Sequence, residues 1–173
     1  MSEVTAYAVG ALVVGAGATL VMDAWAVLRT RWLGVPPLDY ALVGRWLGHL
    51  VRGRFRHDRI AASPAVPGER ALGWVAHYLI GAAFAAVLLI GWGPGWLCRP
   101  AILPALAVGV GSVAAPFLIL QPGMGAGIAA SRTRNPAAAR WHSLITHTVF
   151  GLGLYVTGLA TAWLGVWQRQ GAC

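Results

Sequence analysis

Three apolar segments of the chain each carry an ionisable residue on a stripe of small residues. The spacing is i, i+4, so each stripe lies on one face of a helix. The stripes are Gly15, Thr19 and Asp23; Gly73, His77, Gly81 and Ala85; and Ser143, His147, Gly151 and Tyr155. Small residues at this spacing let membrane helices approach closely, so we expect the three ionisable side chains to point into a helix bundle. Ionisable groups are costly there, which predicts a functional centre made of Asp23, His77 and His147.

A carboxylate and two imidazoles in one apolar layer are suited to three roles. They can relay protons or ions along a permeation path. They can act as general acid and base, or as metal ligands, in a membrane enzyme. They can also form a polar pair that holds helices together. No local spacing such as H-x-x-x-H supports a metal site. The candidate metal ligands are Asp23, His77 and His147, and the sequence does not identify a cofactor.

Glu69, Gln121 and His142 are second choices for the same centre. Glu69 lies in the first turn of the second apolar segment, where a carboxylate complements the helix dipole, but it is also close to the face of His77. Gln121 closes one end of the third segment. His142 precedes His147 by five residues, about 140° around a helix, so these two histidines do not share a face.

The composition is that of an integral membrane protein. Mean hydropathy is +0.66, and charged residues make up 10% of the chain, whereas a soluble domain has about a quarter. The length allows one domain, residues 1–173. The net charge is +8, but eight of the thirteen arginines lie in residues 29–70, between two apolar segments, where positive charge orients membrane proteins. We therefore do not expect nucleic acid as a partner.

Four stretches are long enough to cross a bilayer, which takes about 20 residues. They predict an all-α bundle of four transmembrane helices with spans at residues 5–28, 71–92, 101–120 and 140–164. The first is too long and too weakly flanked for a signal peptide, so we expect it to remain as a membrane helix. Arginine is concentrated in loops 29–70 and 121–139, which the positive-inside rule places in the bacterial cytoplasm. Both termini of this multi-pass inner-membrane protein are then outside.

The first cytoplasmic loop contains a periodic segment of its own. Apolar residues recur at helical spacing within Asp39–Phe55 while arginines take the other side. This predicts an amphipathic helix that lies in the cytoplasmic interface and is capped by Asp39. Such a helix either anchors the loop on the bilayer or acts as a lid or a sensor of anionic lipid. The arginines of this loop are expected to contact anionic lipid headgroups.

Proline, glycine and cysteine give three further expectations. Pro104 and Pro116 should bend the third span. The glycines at 123, 125 and 127 favour a close-packed elbow over a dinucleotide-binding turn, because no predicted strand precedes them. Neither Cys98 nor Cys173 belongs to a C-x-x-C pair, so we expect two thiols and not a disulfide.

Short runs along nearly the whole chain carry a family resemblance. They are Met22-Asp23-Ala24-Trp25, Gly44-Arg45-Trp46, Gly53-Arg54-Phe55 with His57, Gly68-Glu69, Gly73-Trp74, His77-Tyr78, Gln121-Pro122-Gly123-Met124-Gly125, Ser143 with His147, Phe150-Gly151 and Gly153-Leu154-Tyr155. With these runs the chain resembles an uncharacterised family, a domain of unknown function, of small bacterial integral membrane proteins. The resemblance implies about four spans. It implies no activity and no catalytic residue.

Taken together, the residues favour proton-linked handling or transport of a small or hydrophobic compound. One alternative is a membrane-embedded enzyme that acts on a lipid-like or hydrophobic substrate by Asp/His acid–base or metal chemistry. The other is a structural or accessory membrane subunit. Four helices make a small shell for a transport path, so the transport hypothesis calls for a homodimer.

Overall fold

The computed structural model describes residues 3–169 and is built from helices, with no β-strand in that range. The helices are α1 (Glu3–Leu33), α2 (Tyr40–Leu50), α3 (Glu69–Trp92), α4 (Gly95–Cys98), α5 (Ile102–Gly111), α6 (Gln121–Met124), α7 (Pro136–Trp163) and α8 (Val166–Arg169). A π-helical segment, Pro116–Leu120, precedes α6, and short 3₁₀ turns lie at Ile60–Ala62 and Ile128–Ala130.

Four helical stretches are long and apolar enough to cross a membrane, as the sequence predicts. They are Val4–Leu33, Glu69–Trp92, Ile102–Met124 and Pro136–Trp163. Two of them run past their expected ends. The first continues until Gly34 (φ 64°), and the third continues through Gln121 until Gly125 (φ 98°). Both glycines have the left-handed backbone conformation that commonly ends a helix. Arg29 and Gln121 therefore lie on helices and not in loops.

Small residues form the contacts within the bundle, which confirms the stripes seen in the sequence. α1 packs against both α3 and α7, and α5 packs against α7. A Cβ atom on Gly15 would come within 2.5 Å of the Cα atom of Ala82, and one on Gly109 would overlap the Cα atom of Gly151. Because a side chain would push the helices apart, glycine is needed at these crossings.

The apolar core fills the half of the bundle that lies away from α2. The first half of α1, the second halves of α3 and α7, α5 and the short helices α4 and α8 contribute to it, and Leu88, Leu154 and Trp167 are fully buried there. Apolar side chains also cover the outside of the long helices, where Ile90 and Leu103 are 74% and 76% exposed. An apolar exterior of this extent marks a surface that contacts a membrane or another protein.

α2 is held against α3 by a second glycine crossing. A Cβ atom on Gly44 would overlap the backbone carbonyl of Glu69, and a Cβ atom on Gly73 would overlap that of Tyr40. Part of the α2 surface is therefore buried against protein. The amphipathic pattern predicts the helix but does not show that α3 covers it.

Proline interrupts the third span at one of the two expected places. Pro116 has no N–H to donate to the carbonyl of Ser112, four positions earlier in the helix. The helix is broken at residues 112–113. The expectation for Pro104 is wrong, because α5 passes through it without a break. Pro104 lies in the first turn of α5, where the N–H that proline lacks has no helical partner.

Cys98 is disulfide-bonded, so the expectation of two thiols is wrong. Cys173 lies outside the described residues. The absence of a C-x-x-C pair speaks against redox catalysis, but it gives no information about structural disulfides.

Candidate functional site

Asp23 on α1 and His77 on α3 form a hydrogen-bonded pair beside the crossing of the two helices. The Nε2 atom of His77 lies 2.9 Å from Oδ1 of Asp23, and the hydroxyl of Tyr78 donates to Oδ2 at 3.0 Å. The side chains of His77 and Asp23 are 9% and 20% exposed. Both carboxylate oxygens are thus bonded within an apolar span, as the two stripes predict.

Helix α2 adds Tyr40 to this pair. The side chain of Asp39 accepts a hydrogen bond from the N–H of Ala41 (2.9 Å) and starts α2 at Tyr40, which confirms the predicted cap. The hydroxyl of Tyr40 lies 2.9 Å from Nε2 of His77, and the two ring centroids are 4.2 Å apart. Burial and the nearby Asp23 carboxylate raise the pKa of Tyr40 above its ordinary value. The hydroxyl therefore keeps its proton at neutral pH.

One nitrogen atom of His77 consequently faces two oxygen atoms. When Nε2 carries a hydrogen, it donates to the Asp23 carboxylate. When Nε2 carries none, it accepts from the Tyr40 hydroxyl or from a protonated Asp23 carboxyl. The two arrangements differ in the position of a proton and need little movement of heavier atoms. Such a group is suited to take up and release a proton.

His147 on α7 does not contact this pair directly. Its Nδ1 atom lies 2.7 Å from Oγ of Ser112, at the break that Pro116 causes in the third span. The Ser112 hydroxyl also lies 2.6 Å from the carbonyl of Gly109, to which it donates. Because the hydroxyl has one hydrogen, Nδ1 of His147 is then the donor to Ser112 and Nε2 is the acceptor.

A small cavity connects the two histidines. It has a volume of about 40 Å³ and is lined by His77, His147, Ser112 and Thr19 together with apolar side chains. A cavity of this size has room for a water molecule, which can bond to the few polar side chains on its mostly apolar wall. The three first-choice residues therefore come together as a hydrogen-bonded pair and a third member across a cavity.

A larger cavity of about 300 Å³ lies on the other side of His147. Gln121 and His142 line it, so two of the three second-choice residues face the same space as His147. Arg29 lines it as well, at the end of α1. The polar layer that the sequence predicts is thus divided between the Asp23–His77 pair and this cavity.

Glu69 belongs to a separate contact at the start of α3. Its two carboxylate oxygens accept hydrogen bonds from the guanidinium of Arg45 at 2.7 and 2.9 Å. One of them also accepts from the N–H of Val66 at 2.9 Å. This geometry fits the helix-start role, one of the two alternatives that the sequence leaves open.

Four residues of the site are not predicted by the stripes. Tyr78 follows His77 in the sequence but lies off its stripe, and Arg29 falls within the predicted loop 29–70. Ser112 is signalled only indirectly, by the proline four residues later. Tyr40 depends on how α2 docks. Within residues 3–169, no three His, Cys, Asp or Glu side chains are grouped closely enough to hold a metal ion.

Four helices able to cross a membrane, with an ionisable cluster between them, define the class of multi-pass helical membrane proteins. Within this class, the chain belongs to the family described as protein of unknown function (DUF2938), whose model matches residues 12–161. The expected resemblance to an uncharacterised family is thereby confirmed. No curated protein and no solved structure matches the chain.

Proposed function

We propose that this protein links proton transfer to the transport or other handling of a small or hydrophobic compound. The observation that carries the proposal is the position of Nε2 of His77, 2.9 Å from both Asp23 and Tyr40. A polar pair that only holds helices together contributes less than about 1 kcal/mol on average in membrane bundles. That is a weak reason to keep an acid at this depth, whereas a proton relay requires one.

The two cavities extend the proton path. A proton that leaves His77 reaches His147 through the small cavity, and His147 also borders the larger cavity. The larger cavity lies toward the end of the bundle that carries α2 and α6, since residues of both helices line it. His77 and His147 then act in series, with a water molecule between them.

Three observations support a location in the bacterial inner membrane with both termini outside. The long helices expose apolar side chains, as lipid requires. All arginines except Arg99 and Arg169 lie near the end of the bundle with α2, which the positive-inside rule assigns to the cytoplasm. Cys98 is disulfide-bonded near the opposite end, and disulfides persist in oxidising compartments.

Two partners belong to this proposal. Exposed arginines such as Arg52 and Arg54 between α2 and α3 bind anionic lipid headgroups, while α2 lies at the cytoplasmic interface. A second copy of the chain enlarges the shell around the transport path.

Proton flux into vesicles tests the proposal. The full chain is reconstituted into vesicles of phosphatidylethanolamine and phosphatidylglycerol that contain a pH-sensitive dye, and a potassium gradient with valinomycin sets the membrane potential. We expect faster proton entry than in protein-free vesicles. The variant Asp23→Asn should return the rate to that of protein-free vesicles, because the carboxylate that exchanges the proton is gone.

Asp58→Asn is the matched control, since it makes the same chemical change at an exposed loop residue. It should keep the wild-type rate. Equal rates for wild type and Asp23→Asn, or a wild-type rate no higher than that of protein-free vesicles, would contradict the proposal.

A further inference from the structure

Arg29 is a buried cation without a carboxylate partner. Its residue exposure is 9%. Nη1 lies 3.3 Å from the hydroxyl of Thr146 and Nη2 lies 3.4 Å from the carbonyl of Pro36, both longer than usual N–H···O bonds. Nε is buried and has no partner. No ion pair to Arg29 occurs among the described side chains.

Arg45 shows how unusual this arrangement is. Its side chain is more exposed, at 16%, yet it forms a two-pronged ion pair with Glu69 at 2.7 and 2.9 Å. A guanidinium has five N–H donors, and burial of its charge is costly unless an anion and further hydrogen bonds compensate it. Arg29 is more deeply buried and has only two long bonds to neutral oxygens. The charge of Arg29 is therefore not compensated by the described side chains, and its guanidinium has donors to offer to an anion.

The space for such a group is the cavity of about 300 Å³ that Arg29 helps to line. This volume is at the lower end of the range for pockets that hold small organic molecules. Its polar lining consists of Arg29, Tyr40, Gln121, His142, Ser143, Thr146 and His147. The remaining lining is mostly methionine, leucine, proline and alanine. A ligand that matches both parts has one charged end and an apolar body.

Gln121 gives independent support for a polar ligand group. Its Oε1 atom is buried and has no hydrogen-bond partner in the structure. Gln121 lines the cavity, and the oxygen and nitrogen of an amide are assigned from their surroundings, so a turn of this side chain would offer a ligand either an acceptor or a donor. Buried polar groups are normally hydrogen-bonded, and two unsatisfied ones in residues that line one cavity favour a polar ligand group at this place.

We propose that this cavity binds an amphipathic monocarboxylate, with its carboxylate on Arg29 and its chain against the apolar lining. A single guanidinium matches one carboxylate in a bidentate geometry, whereas a phosphate would call for additional fixed cations. His147 borders this cavity, so a carboxylate bound there lies beside the proposed proton path. This part of the inference rests on the proposed function: the monocarboxylate is then the substrate class of the transporter.

Binding of octanoate tests this site directly. Equilibrium dialysis of labelled octanoate is carried out against the full chain in lipid nanodiscs, with empty nanodiscs as the blank and octanamide as the neutral ligand of the same length. We expect saturable binding of octanoate near one molecule per chain and at least about tenfold weaker binding of octanamide. The variant Arg29→Gln should weaken octanoate binding by at least about tenfold.

Arg31→Gln is the matched control. It removes the same charge two residues further along α1, at an exposed position, and should leave octanoate binding unchanged. If Arg29→Gln does not fold, the comparison of octanoate with octanamide on the wild-type chain still decides the question. Equal binding of the two ligands, equal losses in Arg29→Gln and Arg31→Gln, or stronger displacement of octanoate by inorganic phosphate than by unlabelled octanoate would overturn the inference.

The outcome separates this inference from the proposed function. Octanoate binding without proton flux would contradict proton-linked transport and leave the anion site in place. Proton flux through Asp23 without octanoate binding would contradict the anion site alone.

Discussion

At the scale of single residues, the proposed proton transfer depends on one imidazole nitrogen. Nε2 of His77 lies at hydrogen-bond distance from an acid and from a phenol that differ greatly in proton affinity. The phenol keeps its proton because burial and Asp23 raise the pKa of Tyr40. Tyr40 therefore orients the imidazole and donates to Nε2 when this nitrogen carries no hydrogen, without ionising itself.

The variant Tyr40→Phe should slow proton flux while Asp23 and His77 remain in place. It removes one buried hydrogen bond, so we expect the free energy of unfolding to fall by about 1 kcal/mol. The measurements are vesicle proton flux and thermal unfolding in detergent. Tyr155→Phe makes the same change at a partly buried tyrosine on α7 and should keep the wild-type flux. A Tyr40→Phe chain with full flux would exclude Tyr40 from the relay.

The residues of the site differ in how well the sequence predicts them. Asp23 and His77 can be found because each interrupts a stripe of small residues within an apolar helix. Ser112 and Tyr40 cannot be found in this way, since their contacts depend on a helix break and on the docking of another helix. Arg29 is missed because a count of loop charges treats every arginine near a helix end as solvated.

At the scale of elements, glycine crossings determine which side chains meet. The crossing of α1 with α3 brings Asp23 to His77, and the crossing of α2 with α3 brings Tyr40 to the same ring. Gly73 takes part in the second crossing, one turn before His77. A side chain at this position would separate α2 from α3 and withdraw the hydroxyl of Tyr40.

We therefore expect Gly73→Ala to destabilise the protein by about 1–3 kcal/mol and to slow proton flux. Gly91→Ala is the control on the same helix, because a Cβ atom there meets no atom within 4 Å. Alanine is the better helix former by about 1 kcal/mol, so Gly91→Ala should be neutral or stabilising. Thermal unfolding of both variants checks this difference, and similar losses of stability in the two would contradict the crossing as its cause.

The apolar periodicity of the sequence predicts a helix but does not predict what covers it. The pattern in Asp39–Phe55 predicts α2 and its cap but does not tell whether protein or lipid covers its apolar side, since both accept the same residues. Gly44 on α2 is the informative feature, because glycine within a short amphipathic helix is disfavoured unless a backbone passes close by.

At the scale of the whole molecule, the distribution of charge and the disulfide support the proposed orientation. Arginine is concentrated near the end of the bundle with α2, and the disulfide-bonded Cys98 lies near the other end. In the proposed orientation, the larger cavity lies on the cytoplasmic side of the membrane.

Single-cysteine labelling in intact cells tests the orientation. In a chain with Cys98→Ser and Cys173→Ser, we expect Arg99→Cys to react with a membrane-impermeant maleimide. Arg52→Cys should react only after the membrane is permeabilised. Both positions are exposed, so accessibility within the protein does not limit the reaction. The opposite labelling pattern would contradict the proposed topology.

The most direct test of a proton shared between Asp23 and His77 is nitrogen NMR of the chain with ¹⁵N-labelled histidine in lipid bilayers. We predict one Nε2 signal, assigned to His77 through its loss in His77→Gln, that changes in Asp23→Asn and in Tyr40→Phe but not in Asp58→Asn. This result would place the exchangeable proton on the nitrogen between the acid and the phenol. A His77 signal that is identical in the wild type and in Asp23→Asn would contradict proton sharing by this pair.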